Sequence, residues 1–87
     1  MATKKPIRLS AHAMQQLEFR GATEEQVIDT IRSKTWEQAE HGRFGCRKDF
    51  VFNSEWNSKY YSTKQIRPIF VDEHDEIVVV TIYVYYF

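Results

Sequence analysis

The chain has one cysteine, two prolines and three glycines in 87 residues, and its formal net charge is zero. A lone Cys46 excludes an internal disulfide. Lying between Phe44 and Phe50, it is expected to be a small core residue rather than a reactive thiol. It has no cysteine partner for zinc, and His12, His41 and His74 lack metal-ligand spacing, so no metal or cofactor is expected. The three glycines make no phosphate-cradling loop: Gly21, Gly42 and Gly45 are accounted for by turns or strand geometry. No serine or cysteine nucleophile signature is present. The apolar run Ile77 to Phe87 falls short of the roughly 20 residues of a membrane helix, and its β-branched and aromatic content opposes a helix at all. Met1 to Pro6 is short and basic, with no apolar stretch behind it as a secretory leader would have. The expectation is a cytoplasmic protein without membrane association.

Apolar side chains are plentiful: 43% of residues are hydrophobic and 15% aromatic, the composition of a folded domain rather than a disordered chain. A chain this long supports one modest core, so residues 1–87 are expected to form a single domain. The charge is zero only in total. It is +3 over residues 1–20, −3 over 21–40, +4 over 41–71 and −4 over 72–87. Neutrality argues against a general nucleic-acid coat, while a local basic patch could still contact a few phosphates. Scattered, solvated charge is the plainer alternative.

Ser10 is a good N-cap for a helix running to Arg20, with Gly21 as its C-terminal stop. Ala13, Met14 and Leu17 form its apolar stripe. Thr23 and Gln26 form a capping box for a second helix ending near Ser33 or Lys34, with Val27, Ile28 and Ile31 on its apolar side. Beyond Thr35 the period changes. Trp36 to Glu40 reads as a short strand and His41-Gly42 as a turn. Arg43 to Phe52 alternates, with Phe44, Cys46, Phe50 and Phe52 on one side and Arg43, Arg47 and Asp49 on the other. Asn53 to Ser58 reads as a loop. Tyr60 to Val71 reads as a strand that Pro68 marks as an edge or a bulge. Asp72 to Asp75 is a hairpin loop. Glu76 to Tyr86 reads as a central strand, with Val78, Val80, Ile82, Val84 and Tyr86 facing one way and Ile77, Val79, Thr81, Tyr83 and Tyr85 the other. Met1 to Pro6 is expected to be a loose terminus. The predicted fold is α+β: two N-terminal helices packed on one face of a three- to four-stranded antiparallel sheet, leaving the other face for function.

The first helix carries the chemistry. At helical spacing His12, Gln16, Phe19 and Arg20 share a stripe, joining a titratable imidazole to a permanent cation. That pairing suits phosphodiester chemistry. The plain alternatives are a solvated or carbonyl-bonded His12 and an Arg20 favoured by the helix dipole. Arg47 either completes a cationic cluster or pairs with an acid. Thr81 and Tyr83 either bind phosphate and stack a base or simply pack across strands. Tyr60, Tyr61, Lys64 and Arg67 interleave aromatics and cations as a single-strand-binding surface does, or protect a sheet edge.

His12-Ala13, then Arg20-Gly21, Thr23 and a Glu-rich helix start, with the closing run Val78-Val79-Val80-Thr81-Ile82-Tyr83, resembles a family of small uncharacterised bacterial proteins grouped with the RelE/ParE toxin superfamily. The resemblance implies a RelE-like fold and an RNA-cleaving toxin held by a cognate antitoxin, acting on RNA or the ribosome. Such cleavage by 2′-OH attack needs no metal, only a base, an acid and cations for the developing charge. His12 would be the general acid or base, with Arg20, Arg47 and Tyr83 completing the catalytic set. Gln16, Lys64, Arg67 and Thr81 would bind substrate. Gln16 departs from the family, which commonly carries an arginine there, and an amide cannot hold a phosphorane-like dianion as a guanidinium does. The alternatives are a non-catalytic RelE-fold protein-binding module, supported by the aromatic end Tyr83, Tyr85, Tyr86 and Phe87 as a dimerisation or strand-addition site, and a nucleic-acid binder without cleavage.

Overall fold

Both helices begin where their capping residues dictate. In the computed structural model, which describes residues 5–87, Ser10 Oγ accepts the Ala13 N–H at 3.1 Å and opens helix α1 (Ala11–Arg20). Gly21 closes it in the left-handed region at φ 75°, where a Cβ is disfavoured. Thr23 and Gln26 exchange side-chain and backbone hydrogen bonds at 3.1 and 3.2 Å to start α2 (Glu24–Ser33). Caps of this kind contribute about 1 kcal/mol each.

The sheet is larger than the sequence predicts. Six strands, β1 (Ile7–Leu9), β2 (Glu37–Gln38), β3 (Phe44–Gly45), β4 (Lys48–Trp56), β5 (Lys59–Asp72) and β6 (Ile77–Tyr86), form one mixed sheet. The order is β1-β6-β5-β3-β2, with β4 pairing β5 beyond β3. β1 lies parallel to β6 and the other pairs are antiparallel. The sequence predicts no element over Ile7–Leu9 and a loose terminus over Met1 to Pro6. Residues 1–4 of that segment lie outside the described residues, but Pro6 accepts the Ile77 N–H at 2.9 Å and Lys5 pairs with Asp72. Three residues are too few to show a strand period, so pairing with β6, not local sequence, defines β1.

Three further departures come from bulges and turns. Arg43 to Phe52 is not one strand but two, β3 and β4, broken at Cys46-Arg47, although Phe44, Cys46 and Phe50 do join the core. The expected loop over 53–58 is mostly strand. Asn53 at φ 45° sits in a bulge, and only Asn57-Ser58, both at positive φ, make the hairpin turn, as a two-residue loop of mirror-image type requires. Pro68 lies in an interior strand, not at an edge. It falls between the last β4 pair at Ile66 and the first β3 pair at Ile69, where the flanking strand is interrupted and no ladder donor is needed.

A second bulge matters most. Ile69 pairs with Thr81 but Phe70 pairs with Val79, so Val80 is an extra residue in β6. It reverses the alternation: Ile77 and Val79 are buried before it, Ile82 after it. The strict two-sided pattern expected for this strand therefore fails at Val80.

The core joins both helices to the sheet through Ala13, Val27, Ile31, Cys46, Ile66, Phe70, Ile77, Val79 and Ile82. Each large apolar side chain buried there contributes about 1.5–3 kcal/mol. Met14, expected in the core, is 47% exposed. α1 is rotated so that Gln16 meets the sheet edge. Where β1 ends, the Gln16 side-chain Oε1 accepts the Ile82 N–H at 2.7 Å and the Thr81 hydroxyl at 3.0 Å.

Cys46 is 1% exposed, and its thiol donates to the Thr30 carbonyl at 3.5 Å. Burial, then the Glu37 carboxylate, pushes the thiol from 9.0 up to about 11. The unfolded thiol ionises near pH 9 while the folded one stays protonated, so the folded state holds more protons and stability falls as pH rises from 9 to 11. In urea denaturation across that window, the stability difference between wild type and Cys46→Ala should shrink as pH rises. Taking the difference removes the contributions of Lys64 and Tyr86, which both proteins share. A difference constant with pH would show that the thiol is not the group responsible.

Candidate anion-binding cleft on the open sheet face

Residues that alternate with the core side chains of β5 and β6 form the side of the sheet away from the helices. Arg67 pairs with Tyr83 and Ile69 with Thr81, so these four side chains lie together. The segment Gln38 to Arg43 rises beside them. It contains a single 3-10 turn (Glu40–Gly42) in which His41 takes a left-handed conformation at φ 61°. The result is an open cleft of about 660 Å³, floored by Arg67, Ile69, Thr81 and Tyr83 and walled by Gln38, Ala39, Glu40, His41 and Arg43. That volume suits a small ligand or one or two nucleotide units.

Its electrostatics follow from which arginines are paired. Of the six arginines, Arg8 bonds Glu76 through two nitrogens at 3.0 and 2.9 Å, Arg47 approaches Glu37 at 3.8 Å and Arg32 donates to the Lys5 carbonyl at 2.9 Å. Among the described residues, the side chains of Arg20, Arg43 and Arg67 have neither an ion pair nor a hydrogen bond, and two of the three belong to this cleft. Arg43 and Arg67 line it. The guanidinium carbons of Arg20 and Arg67 stand 5.9 and 6.0 Å from the centre of the Tyr83 ring, within cation–π range. The Arg67 Nε is buried without a partner. Glu40 is the one carboxylate in the lining. Two guanidinium groups in the lining, with a third against the Tyr83 ring, offer donors to a phosphate or another multivalent anion.

The structure thus brings together Arg20, Arg67, Thr81 and Tyr83, with Gln16 holding the Thr81 hydroxyl. It leaves out the other three residues of the expected set. His12 is exposed on α1, outside the cleft lining and, among the described residues, without a hydrogen bond or ion pair. Arg47 lies in the break between β3 and β4, beside Glu37, so of its two readings the pairing holds. Lys64 is on the helix-facing side: it is 7% exposed, donates to the Gly21 carbonyl at 2.8 Å and sits 5.5 Å from the centre of the Phe52 ring. Burial lowers its pKa below the usual lysine value. It braces the end of α1 and cannot reach the cleft. Tyr60 and Tyr61 are likewise away from the lining.

Arg43, His41 and Glu40 were missed as site residues. In the sequence Arg43 reads as the polar side of a strand, and that polarity is its only signal. His41-Gly42 reads as a turn, and nothing local says which surface the turn overhangs.

Among the described residues, no group of three or more His, Cys, Asp and Glu side chains could hold a metal ion, and no helix is long and apolar enough to cross a membrane. No protein-family model matches the chain, and neither the curated proteins nor the solved structures provide a match.

Proposed function

We propose that the open-face cleft binds the phosphodiester backbone of RNA, and that the chain acts as a RelE-like toxin directed at RNA and restrained by an antitoxin. One observation carries the reading: among the described residues, the three arginine side chains with neither an ion pair nor a hydrogen bond are Arg43 and Arg67, which line the cleft, and Arg20, which stands against the Tyr83 ring of its floor. Guanidinium groups would hold the phosphate, and the Tyr83 ring would take an unpaired base. The layout of two helices on a mixed, mostly antiparallel sheet is compatible with this reading.

For cleavage, the lining offers an imidazole at His41, a carboxylate at Glu40 and the Tyr83 hydroxyl, with the arginines placed to stabilise charge developing on phosphate. Proton transfer would fall to His41 rather than His12. The position of His12 also favours a second reading, binding without cleavage.

Induced expression in a bacterial host tests these readings, with growth and bulk messenger RNA followed for wild type, His12→Ala, His41→Ala and the Arg43→Ala/Arg67→Ala double variant. The expected result is arrest and RNA loss for wild type and His12→Ala, and neither effect for the other two. Arrest by all four soluble proteins would remove the cleft from the mechanism. Silence of wild type, combined with RNA binding in vitro that needs Arg67, would select binding without cleavage.

A further inference from the structure

The cleft continues into a row of exposed rings. Beyond the bulge, Tyr83, Tyr85 and Phe87 occupy alternate positions and therefore share the face that carries Arg67. They are 39%, 45% and 56% exposed. The register fixes what flanks each of them. Tyr83 pairs with Arg67 and Tyr85 with Gln65, while Phe87 and Thr63 exchange backbone hydrogen bonds at 2.8 and 3.0 Å. In the next strand Gln65 pairs with Asp49 and Thr63 with Val51, whose side chain is 85% exposed. Gln65 Nε2 donates to the Asp49 carboxylate at 2.8 Å.

We infer that Tyr83, Tyr85 and Phe87 form a stacking track that carries the unpaired bases of a single-stranded RNA away from the phosphate held by Arg43 and Arg67. The inference rests on the reading of the cleft as an RNA-phosphate site and adds to it a length and a direction. Alternate side chains along a strand are about 7 Å apart. A ring inserted between successive bases needs about twice the 3.4 Å stacking step, so the row can take one base per ring. Sheet faces that bind single strands use two or three exposed aromatics in this way. A second copy of this chain fits the row less well. A two-fold dimer across it would bring each protomer's arginine cleft beside its equivalent, with no excess of acid on the row to offset them.

The track has a basic head and a tail flanked by no cation and by one carboxylate, Asp49. Arginines gather at Tyr83, whereas Gln65, Asp49, Thr63 and Val51 flank the other two rings. Extending the RNA along the row should therefore raise affinity through stacking without adding phosphate contacts. The measurement is fluorescence anisotropy of labelled oligouridylates of two and five nucleotides with the full chain, over a range of salt concentrations. The pentamer is expected to bind at least about fivefold more tightly per added ring, with the salt dependence of the dimer. Tyr85→Ala and Phe87→Ala should each remove about fivefold or more from pentamer binding and leave the dinucleotide unchanged. Tyr85→Phe, which keeps the ring, should behave as wild type.

Equal affinity for both lengths, or a pentamer gain that persists in Tyr85→Ala and Phe87→Ala, would overturn the track while leaving the cleft intact if Arg67→Ala still weakens the dinucleotide. No binding of either length by folded wild type would overturn the cleft and the track together. A wild-type dimer in sedimentation that Tyr85→Ala dissociates, with RNA binding unchanged, would assign the row to self-association instead.

Discussion

Gly21→Ala should lower the thermal midpoint by at least about 8 °C. Gly21 sits at φ +75°, where the left-handed backbone costs an L-residue about 1–2 kcal/mol. Space is the larger problem. A Cβ there would lie 2.7 and 2.9 Å from Trp56 ring carbons and would overlap the Tyr86 hydroxyl oxygen. Neither neighbour can yield freely. Trp56 and Tyr86 stack with ring centres 5.0 Å apart, and the Tyr86 hydroxyl donates to the Arg20 carbonyl at 2.6 Å. Lys64 holds the Gly21 carbonyl from a third side. Overpacking of this kind costs about 1–3 kcal/mol, for a combined loss of about 2–5 kcal/mol. A domain this size has about 4–13 kcal/mol in total, and each kcal/mol moves the midpoint by about 4–8 °C. Gly42→Ala is the control: its φ is +71°, but nothing lies within 4 Å of its Cβ. It should show the backbone penalty alone. Equal losses in the two variants would show that the Trp56–Tyr86 clamp does not confine Gly21.

Arg67→Ala should reduce RNA affinity by about tenfold to a hundredfold, the range expected when a charged hydrogen-bonding group is removed from a phosphate. The slope of log K against log salt should fall by about one unit. Because the Arg67 side chain forms no hydrogen bond or ion pair among the described residues and its Nε is buried without a partner, its removal should leave stability nearly unchanged. Arg67→Lys should recover the salt slope and only part of the affinity. A lysine keeps the charge but loses the planar fork, which lies 6.0 Å from the centre of the Tyr83 ring and would bond the proposed phosphate through two nitrogens. Arg47→Ala provides the contrast. That cation is exposed, lies 3.8 Å from Glu37 and is absent from the cleft, so RNA affinity should stay within about twofold of wild type, as for a surface charge away from the site. Equal losses in Arg47→Ala and Arg67→Ala would point to general charge attraction and against a built site.

The helices were legible from the chain because their signals are local. Ser10, Gly21 and the Thr23–Gln26 pair each act within four residues, and capping chemistry places both helices to within a residue or so. The strand content of the C-terminal half was legible for the same reason. Strand boundaries were less so. Asn53 looks like a loop residue because positive φ suits both bulges and turns, and only pairing with β5 distinguishes them. Val80 cannot be recognised as a bulge from a run of apolar residues, since every register through Val78-Val79-Val80 buries something.

Half of the proposed site could be nominated in advance. Arg20, Arg67, Thr81 and Tyr83 stood out as cations and hydrogen-bonding aromatics on strongly patterned elements. His12, Arg47 and Lys64 stood out for similar reasons and lie elsewhere. An exposed turn of helix, an acid neighbour and a burial side are decided by packing. Lys64 shows this most clearly: one residue of alternation turns it to the core, where its ammonium takes the Gly21 carbonyl.

By itself, then, the sequence determined the two capped helices, the alternation of the long strands and the apolar positions that bury against one another, because each depends on near neighbours. Tertiary structure alone decided the parallel β1–β6 pairing, the reversal at Val80 and the overhang of the Glu40–Gly42 turn. It also decided which three arginines, among the described residues, form neither an ion pair nor a hydrogen bond, and that two of them line one cleft. Pairing is a property of two surfaces brought together from distant parts of the chain, and no single stretch of residues contains it.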